Sequence, residues 1–308
     1  MPRALTMPNK ALWIKAYRFL LSPRLKERFE RWIIRIAILS FVLHLILIGL
    51  AEVEVISREV YPELLSDPIN AIYTPFSFIL FYEVYSLIYY IPSSLTYYIG
   101  KQYEIITLIV IRRIFKDLSH IKLSANWIAN SYNQQFILDV TTTLILFFLI
   151  YLFYRAYNPW LTLKEERPVR RNIKQFIVRK KMLATALVPA FLALAVHSFF
   201  LWITNTIKAN GGEINLNQIF FNEFFILLIL SDVFLLLLSL FSAQSFQKLI
   251  RNAGFVITTI MIRLSFLSEG IVNNALIVSA VAFGLFILLI HQAFEKLEHS
   301  DEDDAPSP

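Results

Sequence analysis

Long apolar runs are the feature that most constrains how this chain folds. The stretch IFFNEFFILLILSDVFLLLLSLFS is nearly continuous in apolar residues over the length that a helix needs to cross a bilayer. Of the 308 residues, 57% are hydrophobic, and the mean hydropathy is +0.58. We therefore predict an all-α polytopic membrane protein.

The spans are placed by length and by charge together. A crossing helix needs about 20 apolar residues, and cytoplasmic loops collect Lys and Arg. Segment 97–115 is less apolar than the other candidates, because it carries Lys101, Glu104, Arg112 and Arg113. The other predicted spans are 33–51, 72–92, 135–154, 182–204, 218–241, 252–268 and 275–292.

Two basic blocks set the orientation of these spans. Residues 1–35 and residues 155–181 each hold nine Lys or Arg against two acids, so both blocks should be cytoplasmic. Both blocks reach the cytoplasmic face only if 97–115 also crosses. The prediction is then eight transmembrane helices with both termini cytoplasmic. Its one defect is an external loop that begins near the basic pair Arg113 and Lys116.

Polar residues recur in the two halves of the chain. EIITLIVIRRIF (104–115) and GFVITTIMIRLSF (254–266) share six identities in ten aligned positions. With four spans in each half, the copies have the same orientation, which predicts two parallel four-helix repeats about an axis along the membrane normal. The recurring residues are His44 with His197, Glu83 with Asp232, and Arg112 with Arg263.

The repeat divides the chain into five parts. The boundaries are a basic amphipathic juxtamembrane segment (1–32), a first membrane unit (33–154), a basic cytoplasmic linker (155–181), a second membrane unit (182–292) and an acidic disordered tail (293–308).

The second unit resembles the phosphate-starvation-inducible E (PsiE) family of four-helix bacterial inner-membrane proteins. The resemblance lies in SDVFLLLLSLFS, then QKLIRNAGFVITTIMIRLSF, in which Arg251 stands twelve residues before Arg263, then ALIVSAVAFGLFILLI. The first unit is similar through FYEVYSLIYY and ITLIVIRRIF, but Gly100 stands where the leading basic residue would be. The likeness covers roughly residues 70–155 and 218–292. It implies a bacterial inner-membrane location and a link to phosphate stress, and it implies no established chemistry.

The intramembrane charges have two interpretations. A charge near the bilayer centre costs about 2.5–3.5 kcal/mol on insertion scales, so it is normally paired or faces water. Arg112 with Glu83, and Arg263 with Asp232, could hold the helices in register, or acid, Arg and His could line a path for a proton or small ion. Secondary candidates are Tyr82 and Tyr85, which could donate to Glu83, the boundary acid Asp139, and Arg251.

Several classes of site are excluded by the sequence. It has no Gly-rich phosphate loop, no HExxH, no GxSxG elbow and no cysteine, so we predict neither an enzyme, nor a cofactor, nor a metal site. The basic blocks lie beside spans, which favours anionic lipid over nucleic acid as their partner.

Three function hypotheses remain at the level of sequence. The leading one is a conduit for a small ion or proton, and the second is a non-conducting regulator or partner-binding protein. A membrane-embedded enzyme comes last, because the sequence holds no catalytic set of residues.

Overall fold

A computed structural model describes residues 10–54, 68–118, 121, 130–157, 171–208, 216–240, 246–268 and 270–303. Nearly all of these residues are helical, and no strand occurs among them. The helices are α1 (Lys10–Leu20), α2 (Pro23–Glu52), a 3-10 turn (Pro68–Ile72), α3 (Tyr73–Tyr90), α4 (Leu95–Leu118), α5 (Ser131–Tyr157), α6 (Arg171–Lys208), α7 (Leu216–Leu240), α8 (Phe246–Ser265) and α9 (Gly270–Asp303).

Three helical segments in the described part of the chain are long and apolar enough to cross a membrane. They are Leu12–Glu52, Ser131–Tyr157 and Gly270–Glu295, and a shorter apolar helix covers Ile226–Leu238. Much of α2 presents exposed aliphatic side chains, including Leu39 and Leu43, as expected where a helix faces lipid. These features are typical of a multi-pass membrane protein.

Three predicted boundaries differ from the observed helices. Ser22 caps α2 by accepting a bond from the Leu25 amide at 3.2 Å, so the last third of segment 1–32 belongs to the first long helix. Helix α6 begins at Arg171, inside the predicted linker, and α9 continues to Asp303, through most of the predicted disordered tail. A helix already formed extends easily into residues such as Glu, Lys and Leu, which favour helix, because elongation needs no new nucleus.

From α2 to α5 and from α6 to α9, helices that follow one another in sequence pack together. The contacts pair α2 with α3, α3 with α4, α4 with α5, α6 with α7, α7 with α8, and α8 with α9. Contacts between the halves join α4 to α8, α5 to α9, and α3 to α6, while α1 lies on α6. The two halves therefore share one interior, in which buried side chains from α3 through α9 form a single apolar core.

Glycines allow the closest approaches in this interior. A Cβ added at Gly284 of α9 would lie 1.8 Å from the hydroxyl of Tyr103 on α4. A Cβ at Gly254 of α8 would meet Ile287 of α9 at 2.8 Å. Both distances are shorter than a Cβ contact allows, so a side chain at either position would displace the neighbouring side chain or its helix.

Candidate functional site: charges enclosed between the helices

The most enclosed ion pair joins Asp232 of α7 to Arg263 of α8. Their side chains are 2% and 3% exposed, and Arg263 Nη1 contacts Asp232 Oδ2 directly. Tyr98 of α4 donates its hydroxyl to Asp232 Oδ1 at 3.0 Å. This site therefore ties two helices of the second half to one helix of the first.

A buried lysine lies near the same carboxylate. Lys180 of α6 is 2% exposed, and its ammonium donates to the Ser93 carbonyl at 2.7 Å. It also interacts electrostatically with Asp232. Asp232 thus has Arg263 in contact and a second cation nearby, and the contact of Lys180 with Ser93 links the second half to the turn between α3 and α4.

The corresponding pair of the first half is more open. Arg112 Nη1 lies 3.9 Å from Glu83 Oε2, and the arginine side chain is 14% exposed while that of Glu83 is 3% exposed. The sequence places both acid–arginine pairs at equivalent positions, and the structure brings the members of each pair together. The Asp232 pair has the closer geometry, so its loss should cost more.

A third pair, which the sequence analysis did not identify, centres on Asp139 of α5. This carboxylate is fully buried, and Arg113 of α4 binds both of its oxygens, with Nη2 at 2.7 Å from Oδ1. Gln135, one turn earlier on α5, donates to Oδ1 at 2.8 Å. Asp139, which the sequence places near a membrane boundary, is therefore buried and paired, and Arg113 lies within α4 rather than at the start of a loop.

Two asparagines extend this cluster into the second half of the chain. Asn274 of α9 donates to Asp139 Oδ1 at 2.7 Å, and Arg113 Nη1 donates to Asn273 Oδ1 at 2.6 Å. The Asn273 amide donates in turn to the Ser265 carbonyl at the end of α8, at 2.5 Å. One cluster therefore connects α4, α5, α8 and α9.

The repeat comparison could not find the Asp139 cluster, because Asp139 has no acidic counterpart in the last span. Two local signals were present in the sequence. Gln135 and Asp139 are spaced i, i+4, so they share a helix face, and Asn273-Asn274 interrupts an apolar run in the first turns of α9. Polar side chains of membrane helices commonly form hydrogen bonds with one another between helices, and here these bonds join the two halves of the chain.

The two predicted histidines lie in different surroundings. His44 is buried, and its Nδ1 contacts the Thr74 hydroxyl at the start of α3. His197 is exposed on α6. The described contacts of His44 thus involve Thr74 rather than Glu83, and the sequence correspondence of the two histidines is not matched by a shared environment.

The expectation that Tyr82 and Tyr85 bond to Glu83 is wrong. The Tyr82 hydroxyl donates to Glu30 Oε2 at 2.8 Å, and the Tyr85 hydroxyl donates to the Leu20 carbonyl at 2.9 Å. Residues one or two positions apart on a helix do not face the same side, so neither tyrosine points with Glu83. Both instead fasten α3 to the region around the end of α1 and the start of α2.

Lysines and tyrosines form a separate cluster at the ends of the helices. Lys26 donates to the Tyr90 hydroxyl at 2.9 Å and lies 5.4 Å from the centre of the Tyr89 ring, which is within cation–π range. Lys101 bonds Glu104 at 2.8 Å, and the same carboxylate accepts from Tyr154.

Arg251 lies in yet another place, at the start of α8. Its Nη1 is 3.0 Å from His291 Nε2 on α9, and Nε and Nη2 donate to the Asn252 side chain at 3.3 and 3.1 Å. It is therefore not part of either acid–arginine pair.

Neither a group of metal ligands nor a similar protein assigns a function to these charged clusters. The described residues contain no group of three or more His, Asp or Glu side chains that could hold a metal ion. No protein-family model, curated protein or solved structure matches this chain.

Proposed function

We propose that this chain is a non-conducting regulatory or partner-binding protein of the membrane, built from eight spanning helices in two parallel four-helix units. The observation that carries the proposal is the enclosure of the three acids Glu83, Asp139 and Asp232. The side chain of each is at most 3% exposed, and each lies at an arginine of a neighbouring helix. Charges used in this way hold helices together rather than line a wet passage.

Contacts at one end of the helices support the eight-span topology. If every predicted span crosses, the residues of the cytoplasmic side include Lys26, Tyr90, Ser93, Lys180, Ala156 and Gln292. In the structure Lys26 bonds Tyr90, Lys180 bonds the Ser93 carbonyl, and Gln292 bonds the Ala156 carbonyl. All three contacts join residues that the topology places on the same side.

Contacts at the opposite end of the helices also support the eight-span topology. The topology places Arg113, Asp139, Ser265, Asn273 and Asn274 toward the external side, and all five meet in one cluster. The packing of consecutive helices is also the same in each half, with α2, α3, α4 and α5 matched by α6, α7, α8 and α9. This matched order supports two parallel repeats.

Labelling of single cysteines tests the topology directly, because the chain has no cysteine of its own. A cysteine at Asn126, in the segment of sequence between α4 and α5, should react with a membrane-impermeant maleimide added outside intact cells. A cysteine at Ser94, which is exposed between α3 and α4, should react only after the cells are opened. Labelling of Asn126→Cys from the cytoplasmic side alone would contradict a crossing by 97–115 and the repeat with it.

The resemblance to the phosphate-starvation-inducible E family supports a bacterial inner-membrane location and a role in phosphate stress. The basic residues of 1–35 and 155–181 would form a broad cytoplasmic face. Such a face suits anionic lipid or an acidic protein partner.

Flux through reconstituted protein decides whether the chain is non-conducting. Proteoliposomes that contain the full chain should show no more movement of protons, K⁺, Na⁺, Cl⁻ or phosphate than protein-free vesicles, under imposed gradients and voltages. The reconstituted protein must first show its helical content by circular dichroism. Flux above the vesicle background would overturn the proposal.

A proton-coupled conduit is the second candidate, and the surroundings of Asp232 favour it. Tyr98 bonds this carboxylate, while Lys180 interacts with it electrostatically and reaches Ser93 at the end of the helices. These groups form a polar route from the middle of α7 toward the cytoplasmic side. If flux occurs, Tyr98→Phe should reduce it by removing one hydroxyl of that route, whereas Tyr132→Phe, at an exposed tyrosine of α5, should leave it unchanged.

A further inference from the structure

We propose that the groove between the start of α8 and the end of α9 binds one anionic phospholipid of the cytoplasmic leaflet, with the phosphate at Arg251 and an acyl chain along the apolar wall. The inference rests on the proposed topology, which places the start of α8 and the end of α9 on the cytoplasmic side. It does not depend on whether the protein conducts ions.

The groove has the size and wall of a lipid site. Its volume is about 340 Å³, and its lining is mainly apolar. Phe246 and Ile250 of α8 and Ile290 and Phe294 of α9 line it while remaining 75%, 46%, 50% and 51% exposed. Small-ligand sites begin at about 300 Å³ and are walled mainly by apolar side chains, so this groove can hold part of an acyl chain.

Arg251 supplies the group that would recognise phosphate. A guanidinium carries five N–H donors. Three of them are used in the contacts with Asn252 and His291. One donor on each terminal nitrogen remains, and two such donors can bond two oxygens of a phosphate. Because Arg251 lines the groove together with the aromatic and aliphatic side chains, charge and apolar wall occur in the same place.

The start of α8 adds to the attraction for an anion. Its first turn contains no acidic residue, so the free amides of the helix terminus are not offset by a carboxylate there. Lys248 is exposed within this turn. On α9, Glu295 is the acid near the groove; it lies 3.5 Å from His291 Nε2 and also interacts electrostatically with Arg251, so a bound phosphate would compete with this carboxylate. The apolar wall favours a lipid over a free phosphate ion, which would gain nothing from it.

Lipid retention by the purified full chain tests the site. The protein in detergent is titrated with phosphatidylglycerol and, separately, with phosphatidylcholine of the same acyl chains, and bound lipid is counted by native mass spectrometry. We expect one phosphatidylglycerol to bind at least about tenfold more tightly than phosphatidylcholine. Arg251→Gln should weaken the binding of phosphatidylglycerol about tenfold, the ratio for the loss of one charge-assisted hydrogen bond. Ile290→Trp, which fills the groove, should weaken the binding of both lipids.

Two controls keep the test decisive. Arg155→Gln removes an exposed cation from the end of α5, outside the groove, and should leave the count of bound lipid unchanged. Lys248→Gln, at an exposed position, covers the case in which Arg251→Gln fails to fold, and should weaken the binding of phosphatidylglycerol several-fold. Equal affinity for the two lipids, equal losses in Arg155→Gln and the groove variants, or displacement of the lipid by millimolar inorganic phosphate would each overturn the proposal. None of these outcomes bears on the flux measurement.

Discussion

Replacing Asp232 by asparagine is expected to destabilise the protein by about 3–5 kcal/mol, the usual cost of leaving one member of an enclosed ion pair without its partner. Arg263 is 3% exposed and packs directly on this carboxylate, so it would stay charged with little access to water. Arg263→Gln should lower the free energy of unfolding by a similar amount, because it leaves the enclosed Asp232 carboxylate without the arginine that contacts it. The double variant Asp232→Asn with Arg263→Gln should recover much of the loss, because both charges are gone. Thermal unfolding in one detergent, followed by circular dichroism, measures all three.

The pair of the first half is the matched control for this cycle. Glu83 and Arg112 are the corresponding residues, but their closest atoms are 3.9 Å apart and Arg112 is 14% exposed. Glu83→Gln should therefore lower the melting temperature less than Asp232→Asn does. If the losses at Asp232 and Arg263 add in the double variant, the two residues are not energetic partners, and their ion pair does not hold α7 and α8 together.

Gly284→Ala is the second change with a large expected effect. The new methyl group would lie 1.8 Å from the Tyr103 hydroxyl and 3.1 Å from Thr258 Oγ1. Tyr103 is completely buried against Phe153 and its neighbours, so its ring has little room to move. Overpacking of this kind commonly costs about 1–3 kcal/mol and can exceed that range. A loss of melting temperature and of yield in detergent should follow.

Two further variants show that the effect comes from the contact. Gly49 lies within α2 with nothing within 4 Å of an added Cβ, so Gly49→Ala should be neutral or slightly stabilising, as alanine is favoured over glycine inside a helix. Adding Tyr103→Phe to Gly284→Ala removes the nearest atom and should restore part of the stability. The Thr258 contact keeps the recovery incomplete. If Gly284→Ala melts like the wild type, α4 and α9 are not packed as closely as described.

The all-helical architecture was predictable from the apolar runs. The balance of the basic blocks predicts that 97–115 crosses the membrane; the structure has a helix there, and the crossing itself stays a prediction. The pairing of Arg263 with Asp232 was predictable as well, because a charge inside a membrane needs a partner and the repeat suggested which one. The positions of the helix ends were harder to predict from the sequence. Charged residues such as Arg171 and Glu295 suit both a helix and a solvated loop, so composition alone does not separate the two.

The Asp139 cluster could not be predicted from the sequence, because its members come from four helices and from both halves of the chain. Nothing in the sequence near Asn273 indicates that it will meet Arg113, which lies 160 residues earlier. The predicted hydrogen bonds from Tyr82 and Tyr85 of α3 to Glu83 were wrong for a different reason. Tyr82 stands next to Glu83 in sequence, yet it points to Glu30 because neighbouring positions on a helix face different directions. Contacts between helices depend on packing angles that a single sequence does not specify.

The Asp139 cluster also has a consequence for how the protein is made. Arg113 and Asp139 emerge from the ribosome long before Asn274, which completes their hydrogen bonds. A chain that stopped after α8 would hold the ion pair without the two amides that surround it. The ion pair of the first half therefore stays incompletely bonded until α9 packs beside it, so residues made 160 positions after Arg113 complete the cluster.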